Sequence, residues 1–194
     1  GAAAGRSEPG DALSQELGKD ARAQLLRELA SGDEEQRRQA ALRAQLLPAA
    51  EAASCWAVCL GDAAWRVRKV AAEQLAARAE DPAVRDALIE SLADGENPGR
   101  RNSAAEALIR AGAAAVPALI AVLESPDTDL RKLAVDALAR IDDLRARAPL
   151  VAALDDDDPN VRAAAAEALG SVGASAAAPA LLCVVERAAE DPLV

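Results

Sequence analysis

The segment DPNVRAAAAEALG at residues 158–170 is the clearest copy of a pattern that recurs along this chain. Its arginine is followed by an alanine after three residues, an acid after five and a leucine after seven. The segments 67–75, 100–108 and 130–138 share these positions. The recurring arginines, here called the arginine column, are Arg37, Arg68, Arg101, Arg131 and Arg162. Their successive gaps of 31, 33, 30 and 31 residues predict a solenoid of stacked repeats.

Each repeat is predicted to be a pair of helices, because residues that cap helices stand four positions before the column arginines. These residues are Asp33, Asn97, Asp127 and Asp158, with Ala64 in the remaining repeat. A side-chain oxygen there can accept a hydrogen bond from a free backbone N–H of the first turn. Each column arginine then lies one turn inside the second helix of its unit. We expect a disordered lead-in with a short helix over 1–19 and a repeat array over 20–194, divided into 20–47, 48–80, 81–112, 113–143, 144–173 and a partial unit 174–194.

Charge and hydropathy narrow the location and the partner of the chain. A net charge of -10 argues against nucleic acid, whose binding depends on Lys and Arg neutralising phosphates. No apolar run reaches the roughly 18 residues of a membrane helix, and no signal-peptide pattern opens the chain. Three cysteines are too few for a disulfide framework. We therefore expect a cytoplasmic protein that binds neither nucleic acid nor membrane.

The residue types needed for common catalytic sites are missing. The chain has no histidine, so a serine or cysteine nucleophile would lack its usual activating base. No glycine-rich phosphate loop of the Walker or Rossmann type is present. We therefore predict a protein that is not an enzyme, with no catalytic residue, no cofactor and no metal site.

The pattern at 158–170, with VPALIAVL at 116–123 in the preceding helix, resembles the short bacterial HEAT repeats, a type also found in phycobilin lyase subunits. The resemblance covers residues 20–194. It implies an all-α fold, a right-handed α-α superhelix of five helical hairpins plus a partial C-terminal unit, whose second helices line a concave surface used mostly for protein binding. In that family the repeated Asp and Arg usually bond across adjacent repeats. Carried over, this implies a structural ladder that joins the arginine column to Asp33, Asp127 and Asp158.

The arginine column has two interpretations. A guanidinium has the forked donor geometry that binds a carboxylate or a phosphate, so the column could be a stripe for a ligand. The alternative is a ladder of ion pairs between repeats, which fixes the angle at which they stack. We favour the structural ladder.

A second column is acidic and stands five residues after four of the arginines, at Glu73, Glu106, Asp136 and Glu167. An acidic stripe along a groove can steer a basic segment of a partner towards it. The alternative is a solvated face on which Lys69 and Lys132 pair with the acids four residues later. These acids and lysines are candidate contacts for a protein or peptide, which would be basic if the acids are the contact.

The two tryptophans are predicted to differ. Trp56 shares its column with Leu88, Leu119 and other leucines, and is expected in the core. Trp65 stands at the first position of a second helix, where other repeats carry Glu, Thr or Pro. An exposed tryptophan is a frequent interface anchor, although the ring could also fold over its own turn. Trp65 is therefore a further candidate partner contact.

Two groups could suggest metal binding. Cys55 and Cys59 are one helical turn apart and could bind a soft metal, but their columns, like that of Cys183, otherwise hold small residues of a core. The run 155–158 is four aspartates without the alternating ligands, glycine turn and distal glutamate of an EF-hand. Core cysteines and a solvated capping turn are the predictions.

We expect a scaffold or adaptor that binds a partner on its concave face. The alternative is a subunit of a bilin lyase-like enzyme or another enzyme-associated HEAT module. Asp191 and Pro192 repeat the cap signature of Asp158 and Pro159, and the chain then stops at Val194. We expect further repeats or another chain to cover that end.

Overall fold

The computed structural model describes residues 22–171, which are helical throughout apart from short connections. Four 3-10 turns lie in these connections, at Ala44–Leu46, Gly112–Ala114, Leu144–Ala146 and Ala153–Asp155. The α-helices in this range are α1 (22–29), α2 (Glu34–Arg43), α3 (Ala49–Cys59), α4 (Trp65–Ala77), α5 (Pro82–Leu92), α6 (Pro98–Ala111), α7 (Val116–Val122), α8 (Thr128–Ile141), α9 (Arg147–Ala152) and α10 (Pro159–Ser171). Several predictions fall outside it: the lead-in 1–19, the partial unit 174–194 and Cys183.

The second helices begin where the capping residues predict. The carboxylate of Asp33 accepts from the Gln36 N–H at 2.8 Å, and the Asn97 side chain accepts from the Arg100 N–H at 2.9 Å. Pro98 is the first residue of α6, a position where the missing N–H costs no helical bond. Helix α4 is the exception, because its N-cap Ala64 has no side-chain oxygen to offer.

The helices stack in two rows. The second helices α2, α4, α6, α8 and α10 pack one against the next, as do the first helices α3, α5 and α7. Within units, α3 packs on α4, α5 on α6, α7 on α8 and α9 on α10. Small side chains allow this close approach, and one alanine column is completely buried at Ala71, Ala104, Ala134 and Ala165. The predicted all-α solenoid of stacked hairpins is the observed architecture.

The core accounts for Trp56 and two of the cysteines. Trp56 is fully buried, and its indole N–H donates to the Ala41 carbonyl at 2.8 Å. Cys55 and Cys59 are buried thiols, and burial raises the pKa of Cys59 to about 12. The prediction that these three side chains are core is confirmed.

The third unit has a longer turn between its helices. In the other units a leucine near the end of the first helix is followed two residues later by a turn residue. That turn residue lies six positions before the column arginine, at Ser31, Asp62, Ser125 and Asp156. The corresponding residue of the third unit, Asp94, lies seven positions before Arg101 and six before Arg100. One extra residue therefore separates this position from α6.

Among the helices over residues 22–171, none is long and apolar enough to span a membrane.

Candidate partner-binding site

Two column arginines bind an aspartate of the next unit through two parallel hydrogen bonds. Arg37 donates from Nε and Nη2 to Asp62, at 2.7 and 3.0 Å. Arg131 donates from the same atoms to Asp156, at 2.8 Å for each bond. These side chains are only 12 to 16% exposed. Each arrangement, here called a closed rung, ties one unit to the next with fixed geometry.

The aspartates predicted for this ladder were the wrong ones. The carboxylates of Asp33, Asp127 and Asp158 instead accept backbone N–H groups in the first turn of their own helices. The carboxylate two residues before the cap is the one that meets the previous unit. Its signal was present in the sequence, because Asp62 and Asp156 each stand 25 residues after a column arginine.

Both rung carboxylates have a lowered pKa. For Asp156 the main cause is the hydrogen bonding from Arg131, with a further bond from the Asp158 N–H. Burial alone would raise the pKa of Asp62, but the bonds from Arg37 and from the Ala64 N–H outweigh it. Both groups therefore favour their charged form in the fold.

The junction between the second and third units lacks a closed rung. Arg68 donates from Nη1 to the carbonyls of Asp62 and Ala63, at 2.8 and 3.0 Å. Among the described residues, no carboxylate accepts from its Nε or Nη2. Asp94 is the equivalent of Asp62 in the third unit, two residues after the leucine of the first helix. It is instead bound by Arg100 Nη1 at 3.0 Å. The extra residue of the turn explains this, because it places Arg100 six positions after Asp94.

Arg100 also stands where three of the other units have a core residue. The equivalent positions are Val67, Leu130 and Val161, all buried. Arg100 Nε donates to the Ala57 carbonyl, in the last turn of α3, at 2.8 Å. This bond connects the third unit to the second in place of a rung.

The next junction, between the third and fourth units, is open for a different reason. Ser125 stands where Asp62 and Asp156 stand in their units, and its hydroxyl accepts only the Asp127 N–H, at 3.1 Å. Arg101 Nε is buried and has no hydrogen-bond partner within residues 22–171.

Trp65 lies at the start of α4 and is 58% exposed. The guanidinium carbon of Arg66 lies 5.8 Å from the centre of the indole ring, and Lys69 Nζ lies 5.9 Å from it. Both distances permit a cation–π interaction. Trp65 therefore presents a large apolar ring to solvent beside two positive charges.

Trp65 and Lys69 form a ridge between two surface grooves. The first groove, of about 450 Å³, lies between α2 and α4, and the second, of about 380 Å³, lies between α4 and α6. The first is further lined by Glu35, Arg38, Arg66, Val70 and Glu73. The second is further lined by Arg68, Ala72, Gly99, Asn102, Ser103 and Glu106. Four of the predicted contacts, Trp65, Lys69, Glu73 and Glu106, are thereby brought together.

Comparison with known families agrees with this architecture. The family model described as HEAT repeats matches residues 116–193, and the PBS lyase HEAT-like repeat matches residues 101–125. The chain carries HEAT repeats. No curated protein matches this HEAT-repeat chain significantly.

Solved structures similar to the HEAT-repeat chain include two engineered proteins from a structural genomics consortium. They are 25% and 24% identical, each with a TM-score of 0.39; the matches cover 86% and 92% of this chain, and 85% and 54% of the engineered proteins. A third is the complex of CpcE and CpcF of phycocyanin lyase from Nostoc sp. PCC7120. There the identity is 28%, the TM-score 0.42, and the match covers 73% of this chain and 66% of that one.

The acid column of the HEAT units carries its own counter-charges. Lys132 Nζ lies 2.9 Å from Asp136, and Lys69 Nζ lies 4.0 Å from Glu73. Arg110 similarly lies 3.3 Å from Glu106, while Glu167 is exposed on α10. Pairs four residues apart on one helix are those predicted for a solvated face. The surface is therefore of mixed charge rather than uniformly acidic.

The first groove contains a neutralised acid. Arg38 binds Glu35 through Nε and Nη2 at 2.8 and 2.6 Å, and Gln39 donates to it as well. These bonds, led by the one from Arg38, lower the pKa of Glu35 to about 2. Arg66 and Lys69 also line this groove, where Lys69 lies 4.0 Å from Glu73.

The side chains that could have suggested a metal site have other roles in the fold. In the aspartate run, Asp156 closes a rung and Asp158 caps α10. Across residues 22–171, no three His, Cys, Asp or Glu side chains gather as a metal site would require.

Proposed function

We propose that this HEAT-repeat protein is a non-enzymatic scaffold that binds a partner protein or peptide on α2, α4 and α6, with Trp65 at the centre of the contact. The observation that carries the proposal is the exposed indole on the ridge between two grooves. The chain has no Phe or Tyr, and its other tryptophan is buried. Tryptophan is among the residues most enriched at the energetic centre of interfaces.

The surroundings of Trp65 support the same function. The ring stands on helices that are fixed by their stacking, so little ordering is needed when a partner binds. Glu106 and Lys69 flank it, and Asp136 and Lys132 continue the mixed-charge surface on α8. Charges at such a rim mainly affect association rate and partner choice. A large apolar contact with a charged surround is typical of interfaces.

The test is the affinity of the full chain for a captured partner. Partners are cross-linked to the immobilised chain in extract of its source organism, identified, purified and titrated. Trp65→Ala should weaken binding by about tenfold or more, the usual effect of truncating a central tryptophan. Leu46→Ala is the matched control, because Leu46 is 81% exposed but lies outside both grooves. Equal affinities for wild type and Trp65→Ala would exclude this site.

A second candidate function is a subunit of a bilin lyase-like enzyme, favoured by the PBS lyase HEAT-like repeat at 101–125. Co-expression with a bilin and an apo-phycobiliprotein should then give a coloured adduct. A colourless product from a well-folded chain would count against it.

A further inference from the structure

We infer that the partner places a carboxylate on the Nε–Nη2 edge of Arg68, in the second groove beside Trp65. The partner is then an acidic protein segment with an apolar side chain next to its acid. This inference rests on the proposed function and adds the chemistry of the partner.

The chain itself provides two examples of the bond. Arg37 and Arg131 stand in the same column as Arg68, and each uses Nε and Nη2 to hold one aspartate carboxylate. In all three arginines Nη1 donates to the carbonyl six residues earlier, which orients the guanidinium. Arg68 therefore has the orientation of a rung arginine but lacks a carboxylate from the next unit.

The next unit cannot readily supply that carboxylate. Asp94 is bound to Arg100, and the N–H groups of Glu96 and Asn97 also donate to it. These bonds lower the pKa of Asp94, with the bond from Arg100 as the main cause. Moving Asp94 to Arg68 would leave Arg100 without its acid at a position that is apolar in three of the other units.

Of the two column arginines at open junctions, Arg68 is the one that lies at the groove beside Trp65. Arg68 lines the second groove together with Trp65, Lys69 and Glu106. Arg101 lines neither groove, and its Nε is buried. The groove beside Trp65 therefore gives a carboxylate from outside a route to Arg68.

The charges around the ridge define the segment further. Arg66, Arg68 and Lys69 lie close to Trp65, and the indole beside them offers an apolar surface. The chain as a whole carries a net charge of -10, which repels a long acidic run. A segment with one or two carboxylates next to a leucine-like side chain fits both the local cations beside the indole and the negative charge of the whole chain.

The experiment uses a displayed library of short peptides in which Asp, Lys, Leu, Ser and Gly are equally frequent, selected on the full chain. Recovered peptides are titrated with wild type, Trp65→Ala, Arg68→Gln and Arg85→Gln. Arg85 is the matched control, since its Nη1 donates to the carbonyls six and five residues earlier, at Ala79 and Glu80, as Arg68 does in its own unit. It lies on α5 and lines neither groove. Thermal unfolding of each variant is measured alongside.

We expect peptides with Asp next to Leu. Arg68→Gln should weaken their binding by about tenfold or more, the usual effect of losing a charge-assisted pair, while Arg85→Gln should change it less than about twofold. Asp→Asn in the peptide should weaken binding to wild type but not to Arg68→Gln, because both changes remove the same bond.

Lysine-rich peptides, no recovered peptide, or equal effects of Arg68→Gln and Arg85→Gln would overturn the inference. If Trp65→Ala weakens binding while Arg68→Gln does not, the proposed surface stands and the carboxylate site fails. If neither change weakens binding, both fail.

Discussion

Within residues 22–171, the outer and the middle junctions between units differ. The first and second units, and the fourth and fifth, are linked by closed rungs, whereas both junctions of the third unit are open. One extra residue in a turn opens the first of these junctions, and a serine in place of an aspartate opens the second. Yet α4 still packs on α6, and α6 on α8. The alanine and leucine columns therefore stack the helices, and the rungs are an added bond that a unit can lose.

Removing a closed rung should have the largest effect. Asp62→Ala removes the carboxylate that holds Arg37 and accepts the Ala64 N–H, and leaves a mostly buried guanidinium without its partner. We expect a loss of about 2 kcal/mol in the free energy of unfolding, reduced from a fully buried pair by partial solvation. Chemical denaturation measures it.

Ser125→Ala is the control for that change. It removes the corresponding turn bond, from the Asp127 N–H, at a junction that has no rung. The loss should be clearly smaller than for Asp62→Ala. Equal losses would mean that the turn bond, and not the rung, stabilises the junction.

Closing an open junction should raise the free energy of unfolding. Ser125→Asp places a carboxylate at the turn position that Asp62 and Asp156 hold in their units, at the junction where Arg101 Nε has no partner within residues 22–171. We expect a gain of about 1 kcal/mol in the free energy of unfolding, and slower amide hydrogen exchange in α6 and α8. Unchanged exchange would show that Arg101 does not turn to the new carboxylate.

Acid should remove the contribution of the two closed rungs to stability. Because the pKa values of Asp62 and Asp156 are lowered in the fold, their stabilisation is complete above the unfolded pKa of about 3.9 and is lost as the pH falls through the lower folded values. The variant carrying both Asp62→Asn and Asp156→Asn should therefore show a flatter fall of stability on acidification. A slope equal to that of wild type would contradict this assignment.

The smallest effect is expected within a helix. Lys132→Ala removes the ion pair between Lys132 and Asp136. Both side chains of this pair are almost half exposed. Such pairs contribute about 0.3 kcal/mol, and the contribution falls with added salt. Thermal unfolding at low and high salt measures it, and a loss as large as that of Asp62→Ala would place this pair among the inter-unit bonds.

The periodic features of this chain could be predicted from sequence. The capping residues locate the starts of α2, α6 and α8, and the shared column of Trp56 and several leucines predicts its burial, because both follow from local helix geometry. The partners of the column arginines could not be assigned in this way. They depend on the angle between units, which decides whether Asp62 or the nearby cap meets the previous arginine.

The third unit shows the same limit. Counting four residues forward from its cap Asn97 aligns Arg101 with the column, whereas counting eight residues forward from Leu92, at the end of α5, aligns Arg100 with it. The structure shows that each count is right for a different purpose, since Arg101 holds the column position on α6 and Arg100 takes the turn acid. In the other units one arginine both holds the column position and bonds the residue six positions earlier, whereas here these two positions fall on neighbouring arginines.

The contrast between the two tryptophans also gives the protein one optical signal for partner binding and another for unfolding. With no tyrosine or phenylalanine, near-ultraviolet emission comes from one fully buried indole and one that is 58% exposed. A dissolved quencher such as iodide should reach Trp65 and leave Trp56 in the folded chain. Loss of quenching would then report an occupied groove, and a red shift of the protected component would report unfolding, without any attached dye.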